Sequence, residues 1–294
     1  MIYWPGSDAR YNDTMQYVSF GLYSGHPTLR FRVDRIMEWI TQPDVNFCML
    51  YFNQPDSAGH KYEPDSKEVL DAIELTNDGI AYLLQRIEQA DFQGEKPNVI
   101  VTSDHGMNAV SYKRVVNVTT IEEIYQRLKG KLPHATVYKK EEIPESYHYK
   151  NNPRIAPIVV IADLGWMIQT DPANPYEETL NGMHGYNHSE SDMHPFIVAA
   201  GPDIRQIGLV ERFYQVDVYP LVCLLLGLNK PNKIDGDVHR VALFFKQPPP
   251  QADLDEIALY AQGIKDWNAT SMATRGNAMT PLCLALLALL HHIS

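Results

Sequence analysis

The segment that decides the fold is "NFCMLYFNQPDSAGHKY", residues 46–62, in which an apolar run is followed by polar residues. Continuous apolar runs are typical of the buried inner strands of parallel sheets, so the first seven residues predict such a strand. Small residues separate Asp56 from His60, and we interpret them as a tight turn at the end of the strand. The segment therefore places a carboxylate and an imidazole together where a buried strand ends.

The flanking segments extend this into an alternating pattern of helices and strands. Residues 28–40, "TLRFRVDRIMEWI", carry apolar residues at helical spacing. After the opening segment, Asp65 is the expected cap of a long helix, and apolar positions at helical spacing predict its inner face. These positions are Val69, Leu70, Ile73, Ile80, Leu83, Leu84 and Ile87.

Two further apolar runs, 98–107 ("NVIVTSDHGM") and 195–202 ("PFIVAAGP"), predict a second and a third buried strand. A strand–helix–strand order implies a parallel sheet with right-handed crossovers. The shorter strands predicted in "HATVYKK" and "APIVVIAD", with a short helix at 121–130, indicate a small α+β excursion. We therefore predict an α/β fold whose mostly parallel sheet is flanked by helices.

The composition bounds the class of partner. The chain has 294 residues, a formal net charge of -11 and a pI near 5.4, and it shows no basic stripe, so binding to a nucleic acid polymer is not expected. A small anionic substrate is compatible with this charge if metal ions supply positive charge locally. The sequence has three cysteines and no CxxC spacing. Cys48 and Cys223 are predicted to be buried thiols, and a disulfide between them is left open.

The two ends of the chain give different indications about location. The start has no signal-peptide pattern, although four N-glycosylation sequons begin at Asn12, Asn117, Asn187 and Asn268. At the far end, a small polar segment precedes "PLCLALLALL", which is too short to span a bilayer because about 20 apolar residues are needed. These are the elements of a GPI-attachment signal, the alternative being a tail that docks on the protein. Since a secreted protein needs an entry signal, we expect that residue 1 is not the native start.

Candidate metal ligands follow or precede the three predicted strands. Asp56 and His60 follow the first strand, Asp104 and His105 follow the second, and His184 precedes the third. Ligands bind beyond the carboxyl ends of strands in open α/β sheets. Carboxylate oxygen and neutral imidazole nitrogen are good zinc ligands, and two metal ions about 3.5–4 Å apart can clamp a phosphoryl transfer. The sequence therefore predicts a two-metal site.

The motifs that carry these residues resemble those of the ectonucleotide pyrophosphatase/phosphodiesterases, a family of the alkaline phosphatase superfamily. The resemblance rests on "YWPGSD", "QPDSAGHKY", "VTSDHGM", "HGY" followed by "MHPFIVAAGP", and "VDVYPLVCLLLGL". It covers residues 1–245, predicted as a partial catalytic domain, whereas 246–294 are predicted to be a proline-led stalk and tail. The pattern is most similar to that of the subgroup that hydrolyses diadenosine triphosphate.

The resemblance implies a role for each candidate residue. Asp56, His60 and His184 would bind one zinc ion, and Asp104 and His105 would bind a second. It also implies another aspartate and a nucleophilic threonine or serine, in motifs like F-D-G and K-T-F-P-N. Neither motif occurs in the sequence. The family has both upstream of the residues that match "YWPGSD".

Two tyrosines are candidate substrate-binding residues. Tyr23 aligns with an aromatic residue that stacks on adenine in the subgroup, and Tyr51 in the first strand is expected to line the floor of the metal pocket. The implied function is that of a zinc-dependent, extracellular hydrolase of small nucleotide phosphodiesters, anchored to the membrane only by lipid. Residues 1–294 alone are expected to have little activity, because the nucleophile motif is absent.

The sequence also bears on two alternatives to this enzyme. A non-catalytic surface glycoprotein could retain the fold and one zinc site. A sulfatase is disfavoured, since no C-x-P-x-R motif occurs.

Overall fold

The computed structural model describes residues 27–92, 94, 96–111, 115–117, 125–126, 128–169, 180–264 and 282–287. Within them, the helices are α1 (Leu29–Ile40), α2 (Asp56–Tyr62), α3 (Lys67–Gln89), α4 (Val218–Leu225), α5 (Val238–Ala242) and α6 (Gln251–Ala261). The strands are β1 (Phe47–Phe52), β2 (Asn98–Thr102), β3 (Asn108–Ala109), β4 (Val115–Asn117), β5 (Ala135–Lys139), β6 (Ile158–Ala162), β7 (Met167–Gln169), β8 (Gly182–Met183), β9 (Ile197–Ala200) and β10 (Leu282–Leu287).

Backbone contacts divide the chain into two compact units. The first comprises the described residues of Met1–Phe52, Asp78–Thr102 and Ile197–Leu286. The second comprises those of Asn53–Asn77, Ser103–Phe196 and Leu287–Ser294. The mixture of helices and strands agrees with the predicted α/β class.

The main sheet lies in the first unit and has the strand order β1-β10-β2-β9. β2 is buried along its whole length, as the apolar run predicts. β9 differs from the prediction, because it runs antiparallel to β2 and its residues alternate between half-buried and exposed. As the last strand described on its side of the sheet, β9 leaves Val198 59% exposed. An apolar run alone did not specify its direction or its position in the sheet.

Helix α1 confirms the stripe predicted from its spacing. Thr28 caps it by accepting a hydrogen bond from the backbone N–H of Phe31 (3.3 Å). The apolar residues predicted at helical spacing are all buried, namely Leu29, Val33, Ile36, Met37 and Ile40. The stripe also contains Arg32, which is fully buried and was not predicted. Its guanidinium donates to the carbonyl oxygens of Tyr51 (2.6 Å) and Pro27 (3.0 Å), so a charged side chain ties α1 to the end of β1.

Helix α3 begins at Lys67, one residue later than a cap at Asp65 would give. Ser66 accepts a hydrogen bond from the backbone N–H of Val69 (3.3 Å), so Ser66 occupies the capping role expected of Asp65. Val69, Leu83 and Ile87 are buried as predicted, whereas Leu70 and Leu84 are 61% and 46% exposed. These two leucines follow directly after buried positions and face away from the core.

The remaining helices of the first unit enclose an apolar core. It includes Ile100, Ile204, Leu221, Leu225, Leu226, Val241 and Phe245. Cys48 and Cys223 are buried and free, so the predicted buried thiols are confirmed and the two do not form a disulfide. Helix α6 follows the prolines and buries Leu254, Ile257 and Ala261. Packed structure therefore continues past residue 245, where the stalk was predicted to begin.

The second unit contains short strand pairs. β5 and β6 are antiparallel partners, with Val137 opposite Val160, as the predicted α+β excursion requires. β4 pairs with β7 in parallel and β3 pairs with β8 antiparallel. Half of the helix predicted at 121–130 lies outside the described residues.

The C-terminal apolar segment forms strand β10, which lies between β1 and β2 in the sheet. It runs parallel to β2, with Leu282 opposite Asn98 and Leu286 opposite Thr102. The segment therefore follows the docking alternative. Among the described residues, no helix combines the length and the apolar character that crossing a bilayer requires.

Deleting residues 265–294 tests the role of β10. The deletion removes hydrogen bonds from both β1 and β2, so the melting temperature should fall by at least about 5 °C, since each kcal/mol shifts it by about 2–4 °C. Deleting only residues 288–294 is the control and should leave the melting temperature unchanged. Equal melting temperatures for the two deletions, measured by circular dichroism, would contradict the placement of β10.

Candidate metal centre

Helix α2 carries the first two candidate ligands on one face. Asp56 and His60 are four residues apart, a spacing that brings their side chains together on a helix. The interpretation of residues 57–59 as a tight turn is wrong, because Ala58 and Gly59 form the buried face of this helix. The amide oxygen of Gln54 accepts a hydrogen bond from the backbone N–H of Ala58 (3.2 Å) and satisfies the first turn.

Strand β8 lies directly against α2. A Cβ atom on Gly182 would lie 2.2 Å from the carbonyl oxygen of Gly59 and 3.0 Å from the sulfur of Met107, so only glycine permits this approach. The Nδ1–H of His60 donates to the carbonyl oxygen of Gly182 (2.7 Å). His184 follows β8 at once, which brings the third candidate ligand to the face of α2.

The other face of β8 pairs with the segment that carries Asp104 and His105. Asn108 lies opposite Met183 in the β3–β8 ladder. The turn after β2 is held by the backbone N–H of Ser103, which donates to the carbonyl oxygen of Phe196 (3.2 Å), and Gly106 packs against the backbone of Asp192. Strand β8 therefore joins the two ligand-bearing segments within the second unit.

The candidate ligands converge around one carboxylate oxygen. Asp56 Oδ1 lies 3.4 Å from Nε2 of His60 and 3.7 Å from Nε2 of His184. Ligand atoms of Asp56, His105 and His184 all lie within 4.8 Å of one another. The rings of His105 and His184 stack with their centroids 3.5 Å apart. Oδ1 of Asp104 lies 3.7 Å from Nε2 of His105. All five predicted ligands are half-buried.

Hydrogen bonds determine which ring nitrogen of His60 and of His105 is free to bind a metal ion. A carbonyl oxygen only accepts, so Nδ1 of His60 carries a proton in its contact with Gly182. The same reasoning applies to Nδ1 of His105, which donates to the carbonyl oxygen of Gly106 (2.7 Å). In the neutral rings, both Nε2 atoms therefore present lone pairs, the arrangement by which outer hydrogen bonds orient metal-binding histidines.

Burial shapes the charge state of the cluster. Burial, followed by the nearby His105 and His60, lowers the pKa of His184 to about 4, so this ring is neutral at pH 7. Burial also raises the pKa of Asp56, although His60 and His105 oppose the shift. Asp56 Oδ1 is buried and accepts no hydrogen bond from the described residues. Asp56 Oδ1 and Nε2 of the neutral His184 ring thus lie 3.7 Å apart, and a cation bound between them would compensate the carboxylate charge.

The donor set fits zinc. One carboxylate oxygen and imidazole nitrogens are the ligands that tetrahedral zinc accepts at about 2.0–2.2 Å. The spacings above exceed hydrogen-bond contact and leave room for an ion between the donors. How the five residues divide between two ions stays a prediction, because His105 lies within the same group as Asp56 and His184.

The roles of the two predicted substrate-binding tyrosines stay predictions. Tyr23 falls outside the described residues. Tyr51 is half-buried in β1, in the first unit, and its carbonyl oxygen accepts from Arg32. The contribution of Gly182 was missed, although a glycine two residues before a candidate ligand is a signal of close backbone approach.

Within the second unit, the candidate ligands form a cluster of the donor types that zinc-dependent hydrolases use, and comparison with known proteins identifies the family. The sequence profile described as "Type I phosphodiesterase / nucleotide pyrophosphatase" matches residues 1–124 and 119–187. The chain belongs to this family, which confirms the resemblance carried by its motifs.

Its curated relatives include nucleotide hydrolases. The bis(5'-adenosyl)-triphosphatase of Xenopus laevis is 35% identical over 258 residues, which cover 78% of this chain and 55% of the relative. The Homo sapiens protein of the same name is 36% identical over 79% of this chain and 56% of the relative. The chain therefore spans about half the length of the curated relatives it matches.

Solved structures give the same fold. Murine ectonucleotide pyrophosphatase/phosphodiesterase 5 superposes with a TM-score of 0.76 and 33% identity, covering 83% of this chain and 71% of that structure. An inactive threonine-to-alanine variant of that protein in complex with AMP matches with the same TM-score, identity and coverage. The predicted alkaline-phosphatase-like α/β fold is confirmed.

Replacing Asp56 with asparagine tests the cluster. Asp56→Asn should weaken zinc binding by more than the roughly 10–100-fold expected for loss of an outer-shell partner, since the central donor loses its charge. The metal-free variant should be no less stable, because a carboxylate whose Oδ1 is buried without a hydrogen bond is replaced by a neutral amide. Chelator competition measures affinity, and thermal melting measures stability.

Asp163→Asn is the matched control for this test. Asp163 also has a histidine nitrogen 3.7 Å away, from His134, but it is an exposed residue of the β6–β7 turn. Equal zinc affinity for the Asp56 and Asp163 variants would contradict the proposed centre.

Proposed function

We propose that this chain is part of a zinc-dependent hydrolase that cleaves phosphodiester or pyrophosphate bonds of small nucleotides. The observation that carries the proposal is the convergence of His60 and His184 on the buried Oδ1 of Asp56, with His105 in the same group of ligand atoms. Membership of the type I phosphodiesterase family supports the same reaction class.

The chain's own residues would perform binding and orientation. Asp56, His60 and His184 would hold one ion, and Asp104 with His105 would contribute to a second. The carbonyl oxygens of Gly182 and Gly106 keep the two imidazoles in the tautomer that binds through Nε2. Bound zinc supplies Lewis-acid polarisation of the phosphoryl oxygens.

Because the net charge is negative, the proposed metal centre has a second role in attracting the substrate. A formal charge of -11 opposes the approach of an anionic nucleotide, so local positive charge has to come from the metal ions. Dinucleoside polyphosphates such as diadenosine triphosphate are the proposed substrates, in line with the activity for which the Xenopus laevis and Homo sapiens relatives are named. Tyr23 and Tyr51 are the proposed contacts of the nucleoside.

The nucleophile is the missing element of this proposal. The reaction class uses a threonine or serine in a motif that these 294 residues lack. We expect slow hydrolysis by these residues alone, because loss of a nucleophile costs up to about 10⁶ in kcat in a well-studied hydrolase.

Activity assays test the proposal directly. With added zinc, the chain should hydrolyse diadenosine triphosphate and a p-nitrophenyl nucleotide ester by at least about 10³-fold more slowly than the human relative. Chelation and Asp56→Asn should abolish the residual rate, whereas Asp163→Asn should not. Rates equal to the relative would show that a nucleophile lies within these residues. Zinc binding without any hydrolysis would favour the alternative, a non-catalytic surface glycoprotein.

We also propose an extracellular location, in line with the ectonucleotide names of the relatives. More specifically, we propose a GPI anchor, with Ser271 or a neighbouring small residue as the attachment site. It requires removal of residues 282–287, which pair with β2 in this structure. The anchor and the strand are therefore mutually exclusive fates of the same segment.

Phospholipase treatment distinguishes these fates. If the anchor is attached, a phosphatidylinositol-specific phospholipase should release the protein from expressing cells into the medium. Protein that stays cell-associated, or that is secreted with residues 282–287 intact by mass spectrometry, would count against the anchor.

A further inference from the structure

The C-terminal end of α2 needs hydrogen-bond donors that the helix cannot supply. The last carbonyl groups of any helix lack intrahelical partners, and in α2 these include the carbonyls of His60 and Lys61. Asn181 supplies both donors. Its backbone N–H donates to the carbonyl oxygen of His60 (2.7 Å), and its side-chain Nδ2 donates to that of Lys61 (2.7 Å).

Asn181 also stands at the junction of the segments that carry the ligands. Its carbonyl oxygen accepts from the backbone N–H of Val110 (2.8 Å), which extends the β3–β8 ladder. The next residue, Gly182, accepts from the ring of His60, and His184 lies three residues after Asn181. One residue thus contacts the segments carrying His60 and His105 and precedes His184.

We propose that Asn181 is a positioning residue of the metal centre, an inference that rests on the proposed function. Its side-chain amide fixes the end of α2 against β8, so that Nε2 of His60 and Nε2 of His184 meet at the same oxygen of Asp56. The backbone bonds of Asn181 survive substitution, whereas the bond to Lys61 depends on its side chain.

The effect on metal binding should exceed the effect on folding. Metal–ligand distances tolerate deviations of about 0.2 Å, so a small shift of α2 against β8 separates the donors. The lost bond is a single, exposed hydrogen bond, and its removal should lower the melting temperature by no more than about 4 °C. If Asn181 were purely structural, its substitution would affect folding more than it affects metal binding.

Zinc affinity and cobalt spectroscopy test the proposal on the metal-free chain. Asn181→Ala should weaken zinc binding by about 10–100-fold in chelator competition, the range for outer-shell partners. With Co²⁺ in place of zinc, the visible absorption bands of Asn181→Ala should change in position or intensity, because they report ligand geometry. Asn181→Gln, which keeps an amide donor, should recover part of the affinity.

Asn152→Ala is the matched control. Asn152 is an exposed asparagine of the same unit whose side-chain oxygen accepts from the backbone N–H of Arg154 (2.9 Å) in the segment between β5 and β6. It should leave zinc affinity and the cobalt spectrum unchanged. If Asn181→Ala does not fold, Asn181→Ser replaces it, because the serine hydroxyl is too short to reach Lys61 but keeps a polar side chain.

The outcomes separate this inference from the proposed function. Wild-type zinc affinity and an unchanged cobalt spectrum in the Asn181→Ala or Asn181→Ser variant, with zinc bound by the wild type, would overturn the positioning role alone. A wild-type chain that binds neither metal would overturn the proposed metal centre and the inference with it. Weaker zinc binding in both the Asn181 and Asn152 variants would also overturn the assignment.

Discussion

The candidate metal centre depends on the close approach of Gly182 to Gly59. Two backbones meet there at a distance that excludes any Cβ atom, and the carbonyl of Gly182 is thereby placed within reach of the ring of His60. Because β8 pairs with β3 on its other side, the same contact also sets the distance from α2 to the segment after His105. A strand of two residues therefore determines whether donors from three segments can share an ion.

The features of the cluster that favour metal binding are unfavourable for the stability of the metal-free protein. Burial raises the pKa of Asp56 and lowers that of His184, which shows that the protein environment disfavours charge on either group. The neutral ring of His184 beside an acceptor oxygen without a hydrogen bond makes the metal-free cluster unfavourable, and a divalent cation would remove the conflict. Such a site favours the metal-bound state because the fold has already oriented the donors and removed part of their water.

Much of the fold and of the donor set could be predicted from the sequence. The spacing of Leu29, Val33 and Ile36 fixed one face of α1, and the run before Thr102 marked a strand that is buried throughout. Residue types at strand ends identified the candidate ligands. Apolar content does not encode strand direction, so β9 was assigned the wrong orientation. Residues 57–59 suit a turn and a buried helical face equally, and the partner that decides between them, Gly182, lies far along the chain.

The position of β10 has a consequence for how the sheet assembles. β1 and β2 are synthesised early, yet the strand between them comes from residues 282–287. Closing so long a loop carries a large entropic cost and makes pairing slow, so a nascent chain holds two apolar strands with an open gap between them. Until β10 arrives, another chain's strand can enter that gap, which makes strand exchange between newly made copies the characteristic failure of this sheet.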